Sequence, residues 1–284
     1  MIPQTFEYTA PKSLDEALGL IANGGKPLSG GMSLIPMMKL RLSAPDHLID
    51  LRSLKDLNYI REEAGEIHIG ATATHHDIES SAVLRGKCPL LAEAAANIGD
   101  VQVRNMGTIG GSAAHADPSA DYPAALQALE AKLVLRSSKG DRTVSAADFF
   151  VDTFTTALEP GEIVREIVVP IDDSGTGVSY QKLLQPASGF AIVGIAVRIR
   201  KSGGKISMAR IGVTGLSSIG YRATASEKAL EGTSGSASDV QAAAAAIGQG
   251  KDANADLHAS ADYRKHLATV YAARAINAAL ARIA

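Results

Sequence analysis

Two short segments place paired glycines beside hydroxyl residues: Leu28-Ser29-Gly30-Gly31-Met32-Ser33-Leu34 and Thr108-Ile109-Gly110-Gly111-Ser112. Residues without a Cβ reach positive φ and permit close approach, so successive backbone N–H groups can converge on one concavity. The neighbouring hydroxyls add donors, and a helix N-terminus adds a favourable dipole. Two such concavities facing each other suit a pyrophosphate. A single Gly-Gly pair is usually only a turn. Neither segment is a G-x-G-x-x-G fingerprint, and no G-x-x-x-x-G-K-[ST] occurs, which sets aside a nicotinamide-binding Rossmann unit and a P-loop NTPase.

The other chemically capable residues are sparse. Cys88 is the only cysteine, which excludes an intrachain disulfide and an all-cysteine zinc or iron–sulfur site. Within Gly86-Lys87-Cys88-Pro89 it reads as an ordinary buried thiol. His75-His76 follow Thr72-Ala73-Thr74, and adjacent histidines on an extended segment point to opposite faces. They and His115 are therefore expected to hold no metal. No nucleophile or general-base constellation stands out, so redox chemistry here would need a bound organic cofactor, with any metal centre on another chain.

The elements that must position the glycine segments alternate between helix and strand. Ser13 is placed to cap a helix through Asp15-Glu16-Ala17-Leu18 that Gly24-Gly25 ends. The spacing of Leu34, Met37, Met38 and Arg41 predicts a second helix over Ser33 to Leu42. Strands are expected at His47 to Leu51, from Ile60, at Glu66 to Ala71, at Lys132 to Leu135, at Arg142 to Val144 and at Ile163 to Pro170, with a helix from Leu90 to Ile98. The polar run Ile171 to Gly177 divides the chain into residues 1–176 and 177–284. After it come three strand candidates, Val178 to Leu184, Ala191 to Ile199 and Ile206 to Val213, then Ala-rich helices over Ala223 to Glu231, Ala237 to Ile247 and Asp262 to Ile283. The fold class is α+β in two parts.

Composition narrows the function classes. The chain has 284 residues, and its 28 Lys plus Arg nearly balance 30 Asp plus Glu, leaving no electrostatic footprint for nucleic acid or an anionic membrane. Trp is absent and aromatics are 4%, so base-stacking platforms are not expected. The first residues carry neither a basic nor an apolar targeting region, and no apolar run approaches the roughly 18–20 residues that span a bilayer. These features point to a cytoplasmic protein without membrane insertion.

The run Lys26-Pro27-Leu28-Ser29-Gly30-Gly31-Met32-Ser33-Leu34-Ile35-Pro36-Met37-Met38-Lys39-Leu40-Arg41-Leu42 resembles the first flavin-binding motif of the FAD-binding medium subunits of the xanthine dehydrogenase family. Carbon monoxide dehydrogenase medium subunits are the nearest in character. The stretch from Asp100-Val101-Gln102-Val103-Arg104-Asn105-Met106-Gly107 through Thr108-Ile109-Gly110-Gly111-Ser112 to Ala113-Ala114-His115-Ala116-Asp117-Pro118 resembles the second. Length, spacing and the late Asp262-Tyr263-Arg264 helix extend the resemblance over essentially the whole chain.

The resemblance implies a vanillyl-alcohol-oxidase-like fold: a two-subdomain FAD-binding domain, then a three-stranded antiparallel sheet with a helical bundle. It implies that residues 28–34 and Thr108 to Ser112 hold the FAD pyrophosphate, that Ile98 and Val103 line the cleft, and that Asp121 accepts a hydrogen bond from the flavin or its ribityl chain. Val164 and Lys182 would approach the isoalloxazine. Read by themselves, Asp121 is a helix cap and Lys182 a solvated strand lysine. Family carbon monoxide dehydrogenases carry a basic K-R-K-x-G-D-Y-A segment where this chain has Leu183-Leu184-Gln185-Pro186-Ala187-Ser188-Gly189-Phe190-Ala191. Phe190 thus stands at a tyrosine near the flavin, able to cover the ring but not to donate a phenolic hydrogen bond. That counts against carbon monoxide and leaves aldehyde and N-heterocycle oxidation equally open.

The family's division of labour implies that FAD on this chain takes electrons from an iron–sulfur small subunit and passes them to an external acceptor. A molybdenum large subunit, carrying the molybdenum cofactor, oxidises the substrate, and the heterotrimer is duplicated by two-fold symmetry. Two other readings stay open: a self-contained flavin-dependent reductase or oxidase of the same fold, and an assembly scaffold whose glycine segments are merely turns.

Overall fold

The computed structural model describes residues 2–283. Its N-terminal part is a small parallel sheet in which His47–Asp50 lies between Glu7–Thr9 and Lys26–Leu28. Ser13 caps the helix Leu14–Ala22 by accepting the Glu16 N–H at 3.2 Å, and Ala17, Leu18 and Ile21 pack on Ile49 and Leu51. Parallel strands need crossovers, which gather ligand-binding loops at the strands' carboxyl ends. Here Lys26–Leu28 runs directly into Ser29 and then the helix Leu34–Lys39. That helix is shorter than its apolar spacing predicts, because Arg41 turns to φ +61° just beyond it.

A five-stranded antiparallel sheet follows, in the order Ile60–Glu63, Glu66–Gly70, Ile163–Pro170, Lys132–Ser137, Gly140–Ser145. The central strand is nearly continuous in apolar residues because both neighbours and the covering helices bury it. It bulges between Val164 and Glu166. The bulged residue, Arg165, offers its carbonyl to the Ala71 N–H at 3.0 Å, so the bulge fixes the turn that leaves the neighbouring strand. After that turn come the helices His75–Ser80, Ala82–Lys87, Pro89–Ala96, Val101–Met106 and Ile109–His115.

The C-terminal sheet was expected to have three strands and has four. Thr176–Leu184, Ala191–Ser202 and Lys205–Thr214 pair antiparallel, and Tyr221–Arg222 adds a short edge to the last. Two residues are too few for a visible alternation. Packing holds this strand instead, since the Tyr221 hydroxyl donates to the Ile247 carbonyl at 2.9 Å. One face carries the helices Thr224–Leu230, Ala237–Ala245 and Ala261–Ala281. Ala268, Ala272, Ala275 and Ala279 are fully buried there, and Gly177 lets the Ala279 carbonyl reach the sheet. The other face receives the helix Asp121–Ala128, whose Ala124 carbonyl presses on Gly212. Because that helix follows the second glycine segment, the C-terminal sheet and the glycine segments are held in one packed arrangement. Among the described residues, no helix is long and apolar enough to cross a membrane.

Candidate functional site

A cleft of about 880 Å³ opens where the parallel sheet, the second glycine segment and the start of the C-terminal sheet meet. That lies within the ~300–1,000 Å³ typical of ligand and cofactor pockets. Residues 28–34 line it throughout. Gly31 adopts φ +74°, a conformation glycine reaches without a Cβ penalty. Gly30 serves close approach: a Cβ there would overlap the Met106 carbonyl and come 2.6 Å from Gly107 Cα. Among the described residues, none of the backbone N–H groups of residues 29–33 meets a protein acceptor. Ser33 opens the following helix without a side-chain cap bond. The first segment is therefore a concavity of free donors, as its glycines suggest.

The second segment differs from that expectation. Gly110 and Gly111 lie inside the helix Ile109–His115, with Thr108 as its N-cap. The Thr108 hydroxyl accepts the Gly111 N–H at 3.2 Å, the Ile109 N–H bonds Ala73 at 3.1 Å and the Gly110 N–H bonds Ala71 at 2.9 Å. These donors are already satisfied, so this is not a second facing set of free N–H groups. Gly110 allows the helix to sit on Ala71, whose carbonyl would lie 2.7 Å from an added Cβ. Gly111 is exposed, and an added Cβ would meet only Thr108 Oγ1 at 2.8 Å and Ser29 Cβ at 3.9 Å. Thr108, Gly110, Gly111 and Ser112 all line the cleft. The Thr108 hydroxyl also donates to Ser29 Oγ at 2.9 Å, which ties the two segments together.

The remaining expected residues fall at the other end. Ile98, Val103, Asp121, Val164 and Phe190 line the cleft, and Lys182 does not. Neither simple reading of Asp121 and Lys182 holds. Ala120, not Asp121, occupies the cap position, and the Lys182 side chain is only 2% exposed. Lys182 Nζ donates to Asp121 Oδ1 at 2.8 Å, to the Asn97 carbonyl at 2.6 Å and to the Gly189 carbonyl at 2.7 Å. The Tyr180 hydroxyl adds a 2.5 Å bond to Asp121. Burial pushes the Asp121 carboxyl up, against the opposing pull of Lys182 and Tyr180. Lys182 thus joins the Asn97–Gly99 corner to the loop carrying Phe190, and Gly189 approaches Gly99 Cα within the 3.2 Å that an added Cβ would reach.

Sequence reasoning missed several lining residues. Thr72 and His75 lie on the wall beside the second segment. His75 was placed on an extended segment, yet it begins the helix His75–Ser80, capped by Thr74 in a capping box with Asp77. The Thr74-x-x-Asp77 spacing was the available signal. His115, its ring 5.1 Å from Phe154, lines the cleft too, and burial lowers its pKa. Among the described residues, no group of three or more His, Cys, Asp or Glu side chains is placed to hold a metal. Cys88 is fully buried, and burial pushes its thiol far up.

The chain matches two protein-family profiles. The FAD binding domain in molybdopterin dehydrogenase covers residues 4–172, and the CO dehydrogenase flavoprotein C-terminal domain covers residues 178–279. The chain belongs to the FAD-binding medium subunits of the molybdenum hydroxylases. It is 46% identical to the carbon monoxide dehydrogenase medium chain of Hydrogenophaga pseudoflava, with 100% of both covered. It is 37% identical to the glyceraldehyde dehydrogenase medium chain of Sulfolobus acidocaldarius, covering 97% of this chain and 98% of that one. Solved structures agree. Carbon monoxide dehydrogenase from Hydrogenophaga pseudoflava superposes with a TM-score of 0.97 over 100% of both chains, at 46% identity. Quinoline 2-oxidoreductase from Pseudomonas putida 86 superposes at 0.94 over 100% of both, at 32% identity. The chain is therefore the FAD-binding subunit of a molybdenum-dependent oxidoreductase, and the cleft of about 880 Å³ with its free N–H groups fits a dinucleotide.

Proposed function

We propose that this subunit relays electrons: it takes them from an iron–sulfur small subunit and delivers them to an external acceptor, while a molybdenum large subunit oxidises the substrate. The observation that carries this reading is the first glycine loop, whose N–H groups meet no protein acceptor among the described residues and line the cleft. When bound, FAD supplies two-electron redox chemistry coupled to one-electron steps, and the protein supplies binding, orientation and electrostatics. Residues 29–33 hold the pyrophosphate. Thr108 keeps that loop in place through Ser29, and Gly111 and Ser112 leave room beside it. Ile98, Val103 and Val164 give the cleft apolar walls, and Phe190 would help to hold the isoalloxazine. Asp121 would accept a hydrogen bond from the flavin or its ribityl chain, with Lys182 as the positioning residue that holds its carboxylate.

Residues 1–176 form the FAD-binding domain and residues 177–284 the C-terminal domain. The three subunits assemble as a heterotrimer duplicated by two-fold symmetry, a heterohexamer in the cytoplasm, as closed symmetric assemblies are the rule for soluble oligomers. The iron–sulfur clusters and the molybdenum cofactor sit on the partners, since the single buried Cys88 leaves this chain without cluster ligands. The substrate is chosen on the large subunit.

The test uses the chain purified with whatever proteins accompany it. Carbon monoxide, an aldehyde and an N-heterocycle are added in turn. The substrate of the complex bleaches iron–sulfur and flavin absorbance together, and the same compound leaves the flavin of the separated chain oxidised. Rapid flavin reduction by an organic substrate in the separated chain would overturn the relay and identify a self-contained flavoenzyme.

A further inference from the structure

The first glycine loop accounts for one side of the cleft, but the wall beside the second segment is poor in free backbone donors. Its N–H groups at Ile109, Gly110 and Gly111 are all engaged within the protein. This wall offers side chains as well: Thr72, whose buried Oγ1 has no hydrogen-bond partner among the described residues, and His75, a ring nitrogen donor beside the segment. The histidine is 4% exposed and lines the cleft, so what little of it is uncovered faces that space.

Both sides of the imidazole are constrained. Nδ1 lies 3.1 Å from the hydroxyl of Tyr122, which is fully buried. The two rings meet edge-on, 5.3 Å apart with an interplanar angle of 61°. Among the described residues, that nitrogen is the hydroxyl's only hydrogen-bond partner. A buried O–H without an acceptor carries a desolvation cost, so the hydroxyl donates to Nδ1 and the ring proton resides on Nε2. Nε2 in turn makes no hydrogen bond to the protein. It lies against Gly107, where an added Cβ would come within 2.5 Å, and the His75 N–H bonds the Gly107 carbonyl at 2.9 Å. Burial, aided by Arg104, lowers the ring pKa to about 4, leaving a neutral imidazole with one N–H.

The position of that N–H identifies what it meets. Gly107 precedes Thr108, whose hydroxyl bonds Ser29 at the start of the first loop. His75 therefore stands where the two segments cross, beside the free N–H groups of residues 29–33. We propose that His75 is a cofactor-binding residue whose Nε2–H donates to an oxygen of the FAD ribityl-pyrophosphate chain, with Tyr122 behind it as the positioning residue that fixes the tautomer. This rests on the FAD reading above and deepens it. The first loop binds with backbone donors, and the opposite wall binds with one oriented side chain.

The experiment uses the full chain with its co-purifying proteins and follows FAD release after dilution, alongside the unfolding midpoint of flavin-depleted protein. Loss of a hydrogen bond to a charged oxygen weakens binding by about ten- to a hundred-fold, so His75→Leu is expected to release FAD faster by that order. His75→Gln, whose amide reaches the Nε2 position, restores most of the retention. Tyr122→Phe, which does not touch the cleft, gives an intermediate increase. Wild-type release rates in both His75→Leu and Tyr122→Phe would overturn the proposal while leaving the FAD reading intact. So would release from His75→Gln as fast as from His75→Leu, which would mean that the ring matters only for packing. Should His75→Leu fail to fold, His75→Gln and Tyr122→Phe decide: near-wild-type retention in the first with faster release in the second supports the proposal, and any other pattern overturns it. A wild-type protein that contains no FAD would sink the underlying reading instead.

Discussion

The Thr108 hydroxyl donates to the Ser29 hydroxyl at 2.9 Å across 79 residues of chain, while also accepting the Gly111 N–H that it caps. One side chain thus starts a helix and fastens the first glycine loop. Thr108→Val keeps the shape and removes both bonds. We expect a loss of about 1–2 kcal/mol in denaturant unfolding, the usual range for a lost N-cap. Ser29→Ala, which leaves the cap intact, is expected to cost about 1 kcal/mol or less. Equal losses in the two variants would show that the cap contributes nothing.

The paired glycines have unlike duties and respond differently to substitution. Gly31→Val forces a β-branched residue to φ +74° and sets its Cβ 2.7 Å from Ile35 Cδ1. FAD is expected to be lost. Gly111→Val strains no backbone but fills the cleft beside Ser29 and displaces the Thr108 hydroxyl, 2.8 Å from the added Cβ, so FAD is lost and the flavin-depleted protein loses no more than the Thr108 cap contributes. Thermal unfolding with and without flavin separates the two. Full FAD retention in both variants would refute the placement of the pyrophosphate.

Lys182 and Asp121 form a buried pair, with side chains 2% and 4% exposed. Lys182→Met leaves the carboxylate without its cation and is expected to destabilise the fold by about 3–5 kcal/mol. The double variant Lys182→Met with Asp121→Asn should cost less than the sum of the singles. Additive losses, read from urea unfolding, would mean that the pair is not coupled.

His75 gives the flavin-depleted protein a defined pH dependence. Its pKa falls from 6.5 to about 4 in the fold, chiefly through burial and then through Arg104. Between those values the unfolded chain binds more protons, so stability declines as pH drops from about 6.5 towards 4. The full effect is on the order of 3 kcal/mol. His75→Gln should remove this part of the decline. An identical pH profile in wild type and variant would contradict the assignment.

Much of this architecture is visible in the sequence. The strand Ile163–Pro170 is bounded by its own apolar run, and three of the four C-terminal strands follow from alternation and Gly-rich turns. Elements held by tertiary contacts are not visible in this way. Glu7–Thr9 and Tyr221–Arg222 are too short to show a period. Val101–Met106 has a readable cap in Asp100, which accepts the Val103 N–H at 2.8 Å, but six residues give little else. Gly110-Gly111 resembles a turn, and only the approach of Ala71 explains why glycine stands inside a helix there. Lys182 by itself looks like a solvated strand lysine, and His75 like a residue of an extended segment. Partners distant in sequence bury them: Tyr122, 47 residues from His75, in the cleft wall, and Asn97, 85 residues from Lys182, behind it. Cofactor identity came from the long motifs as units, since either glycine pair alone reads equally as a turn.

The central claim is that the cleft between the two segments holds FAD. The most direct test is to precipitate the purified protein with acid and chromatograph what is released. We predict one FAD per chain in the supernatant and a colourless pellet, because neither buried Cys88 nor any histidine is called on for a covalent link. Release of FMN, colour retained in the pellet, or no flavin at all would contradict the account.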